Sequence, residues 1–64
     1  MKIYDNQEFD EVIIEWNNNG YEVILGIDSL GTIFYTYKTP ENDKYLAGKD
    51  IIDPMLVDLI KKAS

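Results

Sequence analysis

The stretch DNQEFDEVIIEWNNNG, residues 5–20, sets the architecture of this chain, because a helix there makes a two-helix domain. Asp5 or Asn6 is placed to act as N-cap. Asp5 with Glu8 three residues later resembles a capping box, with Asp in the hydroxyl position. Phe9, Val12, Ile13 and Trp16 follow the i, i+3, i+4, i+7 spacing of one buried helix face. Acidic residues in the first turn favour the helix dipole. The three asparagines fray the far end, and Gly20 suits the left-handed position beyond it. The spacing therefore predicts a first helix.

Downstream, two apolar runs flank "DSLG", residues 28–31. Asp28 at the first turn position and Gly31 at the fourth fit a type I turn closed by a left-handed glycine, a common hairpin loop. That turn sets Asp28 opposite Thr32. Ile27 then faces Ile33, Leu25 faces Tyr35 and Val23 faces Tyr37. On the other face Gly26 meets Phe34, Ile24 meets Thr36 and Glu22 meets Lys38. One face, Tyr21, Val23, Leu25, Ile27, Ile33, Tyr35 and Tyr37, carries no charge. A slip of one residue would mix the two sets.

"TPEND" reads as a turn, with Pro40 ending the strand. "KYLAG", Lys44 to Gly48, predicts a short third strand. Asp53 is the expected N-cap of a C-terminal helix with Pro54 as its first residue. Met55, Leu56, Leu59 and Ile60 form its apolar side, and Lys61 and Lys62 suit its C-terminal end. "KIY" near the start predicts an edge strand beside the hairpin. The expected fold is α+β in a single compact domain over residues 1–64. Two helices pack on one face of a small antiparallel sheet, in the order (β)αββ(β)α. Phe9, Trp16, Leu56 and Leu59 are expected against Val23, Leu25 and Tyr35.

Composition narrows the chemistry. In 64 residues there is no cysteine and no histidine, which removes thiolate sites, the commonest metal ligand and the usual general base. Twelve acids against six lysines, with no arginine, leave a net charge of −6. That balance opposes nucleic acid and anionic membranes as partners and favours basic protein surfaces. No apolar run follows the first lysine as a secretion signal requires, and none reaches membrane-spanning length. A cytoplasmic location is expected.

Two surfaces stand out as partner sites. The first is an acidic stripe on the expected first helix, Glu8, Glu11 and Glu15 with Asp10 on its flank and Ile14 projecting nearby. It fits an acidic ridge that covers a basic or nucleic-acid-binding surface; the plain alternative is a solvated helix face. The second is the outer face of the hairpin, where Ile24 and Phe34 form an apolar centre with a polar rim. The plain alternative there is that Phe34 shields bare Gly26. "ENDKYLAGKD" holds Glu41, Asp43 and Asp50 without the ligand spacing of a calcium loop, so no metal is expected. Ser29 has no histidine to activate it, so no catalysis and no cofactor are expected.

In composition the chain is similar to small acidic proteins of phages and mobile elements from AT-rich genomes. That likeness implies an inhibitor or modulator that binds a larger protein. The alternative is a homo-oligomer with a structural or assembly role, joined through the hairpin's outer face or an edge.

Overall fold

A computed structural model describes residues 1–50 and 52–64. Ile51, in the segment leading to the C-terminal helix, lies outside the described residues. Five strands, β1 (Lys2–Asn6), β2 (Glu11–Asn18), β3 (Tyr21–Asp28), β4 (Ile33–Lys38) and β5 (Leu46–Lys49), are followed by α1 (Pro54–Lys62). The strands form one antiparallel meander in sequential order, β1-β2-β3-β4-β5. The helix covers one face of it, and the other face is open.

The expected two-helix architecture is overturned at residues 5–20. Residues 11–18 form a strand between β1 and β3, so a single helix is found among the described residues and the order is βββββα. The physical reason lies in Val12-Ile13-Ile14. Three consecutive β-branched residues satisfy a period of 3.6 and a period of 2 alike, and their stiff side chains favour the extended backbone. As a strand, β2 sends Val12, Ile14 and Trp16 to the helix side and Glu11, Ile13 and Glu15 to the open side.

The residues expected to end a helix instead make a turn. Asn18 pairs with Tyr21 across a two-residue loop, Asn19-Gly20, and both loop residues have positive φ, 56° and 82°. That is a type I′ hairpin, whose twist matches the flanking strands and whose dihedrals Asn-Gly tolerates best. The residues expected to start the helix form the loop 7–10 between β1 and β2, closed by Asp10 at φ 51°. The expected N-terminal edge strand exists, but it lies beside β2 and not beside the hairpin.

The hairpin register is found as the turn chemistry sets it, residue for residue from Glu22–Lys38 to Ile27–Ile33. The Asp28 N–H donates to Thr32 O at 3.1 Å, and the Gly31 N–H donates to Asp28 O at 3.0 Å, with Gly31 at φ 81°. The Asp28 carboxylate also accepts from the N–H groups of Leu30 and Thr32, both at 2.9 Å. The segment expected as a short third strand, Lys44 to Gly48, forms the last strand with shifted bounds, at Leu46–Lys49.

Asp53 caps α1 as its sequence indicates, accepting from the Leu56 N–H at 2.9 Å, with Pro54 in the first turn. Leu56 and Leu59 pack with Val23, Leu25, Tyr35 and Ala63 to form the core. All the remaining residues of the uncharged hairpin face, Tyr21, Ile27, Ile33 and Tyr37, pack against it, as does Trp16. Phe9, expected in this core, stands 65% exposed in the loop 7–10. Beyond α1, Asn18 Nδ2 donates to Ser64 O at 2.8 Å and ties the chain end to the end of β2.

Candidate interaction surface

Because consecutive strands run in opposite directions, alternate loops share an end of the sheet. The loop 7–10, the turn 28–31 and the exit of β5 lie at one end. Asn19-Gly20, the segment 39–45 and the chain terminus lie at the other. No lysine occurs between Lys2 and Lys38. The first end therefore collects Asp5, Glu8, Asp10, Glu11, Asp28 and Asp50, with Lys49 next to Asp50 in sequence. At the second end Lys38, Lys44, Lys61 and Lys62 balance Glu22, Glu41, Asp43 and Asp58. The charge of the chain is thus gathered at one end, although it is spread along the sequence.

Two large apolar side chains stand at the tips of the same end. Phe9 is 65% exposed on one loop and Leu30 is 88% exposed on the other. Between the loops lies a hollow of about 170 Å³ lined by Asp5, Asp10, Glu11, Val12, Ile27, Asp28 and Ser29. Its carboxylates do not converge as metal ligands; among the described residues no group is arranged to hold a metal ion. Chemically, this end is an acidic rim around two apolar tips.

The open face of the sheet is the second surface. One row of in-register residues crosses all five strands: Tyr4, Ile13, Gly26, Phe34 and Lys49. The next row is Lys2, Glu15, Ile24, Thr36 and Ala47. Ile13 is buried and Ile24 half-buried, while Phe34 and Tyr4 are exposed. The neighbouring Glu15 carboxylate raises the Tyr4 phenol above its ordinary value, with the charge of Glu11 adding to it. The ammonium groups of Lys2 and Lys49 lie over the rings of Tyr4 and Phe34, at 5.3 and 5.5 Å from the centroids. At the second end, Tyr45 donates to Glu22 Oε2 at 2.6 Å, which raises its phenol as well. A hollow of about 170 Å³ opens over Gly26, lined by Glu11, Ile13, Ile24, Phe34, Tyr35 and Thr36.

The residues singled out by sequence are thereby redistributed. Glu8 and Asp10 are exposed on the loop 7–10, and Glu11 and Glu15 lie on the open side of β2. No helical stripe joins them. Ile14, expected to project beside the acids, faces Leu25 and packs against the core on the helix side. Ile24 and Phe34 share the open face with Glu11 and Glu15, so the two candidate surfaces are contiguous. The nearest side chains around bare Gly26 are Ile13 and Glu11 of β2, not Phe34. The glycine that an aromatic ring does cover is Gly48, beneath Tyr35. Sequence reasoning missed Phe9 and Leu30 as exposed tips. Leu30 was legible in the turn DSLG, whereas Phe9 needed the strand assignment of β2.

Comparison with protein-family models, with curated proteins and with solved structures gives no match. No helix among the described residues is long and apolar enough to cross a membrane.

Proposed function

We propose that this chain is a protein-binding module that presents its acidic end to a basic surface of a larger protein and so inhibits or modulates it. The observation that carries the reading is the convergence of Asp5, Glu8, Asp10, Glu11, Asp28 and Asp50 around two exposed apolar tips, Phe9 and Leu30. The two features divide the work of binding. A one-signed end steers a basic partner into encounter and raises the association rate. Apolar side chains seated in partner pockets slow dissociation. By occupying a basic surface, the carboxylates compete with the phosphates or other anions that surface would otherwise hold.

The test is capture from an extract on immobilised chain, read against two variants. Glu8→Lys with Asp10→Asn, which tolerates the positive φ of that position, removes the negative charge at the rim, and Phe9→Ser with Leu30→Ser removes the tips. All four residues are exposed, so folding should survive. A basic protein retained by the wild type, released by raised salt and lost with either double variant fits the proposal. A bound protein that is indifferent to both variants overturns it.

A further inference from the structure

We propose that the open face of the sheet is covered by a second copy of this chain, the two sheets meeting face to face about a two-fold axis parallel to β3. This is independent of the acidic end and uses other residues. An antiparallel sheet can turn one face to water when that face is polar. Here the row through Gly26 is apolar from Tyr4 through Ile13 to Phe34, and Ile24 extends it in the next row, where Glu15, opposite Lys2, and Thr36 flank it. The upper and lower margins of the face are polar, with Asn6, Glu11 and Asp28 on one side and Asn17, Glu22 and Lys38 on the other. An apolar centre inside a polar rim is the anatomy of an interface.

The face is complementary to itself. β3 is the middle strand, and Ile13 on β2 and Phe34 on β4 flank Gly26 at equal distance in one row. Rotation about an axis along β3 lays each Phe34 over the second copy's Ile13, beside the hollow that Gly26 leaves. It sets Ile24 against Ile24. It also brings Lys49 of β5, which lies beside its own Phe34 ring, toward the second copy's Tyr4 on β1. The rotation thus sets Lys49 near a ring of the other copy and Lys2 opposite Ala47. Within each copy Lys2 stands opposite Glu15 and Lys38 opposite Glu22, so the face carries little net charge to select a basic partner. Sheets packed in this way keep their strands within about 30° of each other.

Five strands at about 4.8 Å spacing and six residues at about 3.4 Å give a face of about 500 Å² per copy. That is below the roughly 800 Å² per partner of a standard stable complex. The dimer is therefore weak, with assembly at micromolar concentration and above. The axis leaves both acidic ends on the same side, so repulsion between two chains of charge −6 opposes assembly and salt relieves it. Salt should strengthen this contact, while it should weaken the binding proposed for the acidic end.

Sedimentation equilibrium from low to high micromolar chain, in low and high salt, tests the proposal. The expected result is a monomer–dimer equilibrium that tightens as salt rises. Phe34→Asp should weaken it at least about 30-fold, as an interface aromatic does, with the unfolding midpoint followed in parallel. Should that variant fail to fold, a wild-type mixture of isotope-labelled and unlabelled chain decides. Intermolecular NOEs should then link Phe34 to Ile13 and Ile24 to Ile24. A monomer throughout, a dimer that Phe34→Asp leaves intact, or NOEs confined to the edge strands overturns the proposal.

Discussion

Replacing Gly48 by alanine probes the contact that fixes the last strand to the core. Gly48 lies opposite Tyr35 in the β4–β5 ladder, and the Tyr35 ring crosses directly above its backbone. A Cβ built on Gly48 would overlap Tyr35 Cζ and the hydroxyl oxygen and come within 2.7 Å of Cε2. Tyr35 is 8% exposed and stacks with Tyr37 at 6.2 Å between centroids, so the ring cannot swing freely away. Overpacking of this kind costs about 1–3 kcal/mol. The opposite sign is expected without the ring. Gly48 is in an extended strand and not at positive φ, where alanine should gain about 0.5–1 kcal/mol over glycine. The net expectation is a loss of about 0–2.5 kcal/mol, or a fall in Tm of up to about 20 °C for a domain of this size. Urea unfolding followed by Trp16 fluorescence measures it. In a Tyr35→Leu background the same Gly48→Ala step should become neutral or stabilising, a coupling of about 1 kcal/mol or more. A wild-type background in which Gly48→Ala raises the midpoint would refute the reasoning.

Three further outcomes follow from the local geometry. Gly20→Ala places a Cβ at φ 82° and 3.1 Å from Pro40 Cγ, so it should destabilise by at least about 1–2 kcal/mol, the cost of the left-handed backbone; an unchanged urea midpoint would argue against the type I′ turn. Asp53→Ala removes the carboxylate that holds the Leu56 N–H and should cost about 1 kcal/mol, with Asp53→Asn retaining most of it, as thermal unfolding of the pair would reveal. Tyr45 is held above its ordinary value by its hydrogen bond to Glu22. The folded state thus favours the protonated phenol, and that contribution is present below the unfolded pKa near 10 and lost as pH rises through the folded value. Ultraviolet titration should show Tyr45 ionising late, and earlier in Glu22→Gln; identical curves would mean that the bond does not form in solution.

The hairpin β3–β4 and the cap of α1 were legible because each is set by neighbours in sequence. Asp28 and Gly31 determine one turn, the turn determines one register, and Asp53-Pro54 mark the helix start wherever it docks. β2 was not legible from its apolar spacing, since Val12-Ile13-Ile14 fits both periods. A sharper local signal was present in Asn19-Gly20, which marks a two-residue hairpin more strongly than it marks a helix exit. The acids at Glu8, Asp10, Glu11 and Glu15 were visible as candidates, but their grouping depended on that same segment.

By itself, then, the sequence determined the charge, the absence of histidine and cysteine chemistry, one hairpin with its faces, and the cap of the C-terminal helix. These depend on residue identity or on contacts a few positions apart. Only the tertiary structure decided which period Val12-Ile13-Ile14 adopts, because a strand there is stabilised by ladders to β1 and β3 that no local window contains. The same ladders decided where function can sit. The meander brings the loop 7–10 and the turn 28–31 to one end, and it lines up Ile13, Gly26 and Phe34 across three strands. Residues twenty positions apart became neighbours through strand pairing, and strand pairing is a property of the whole sheet.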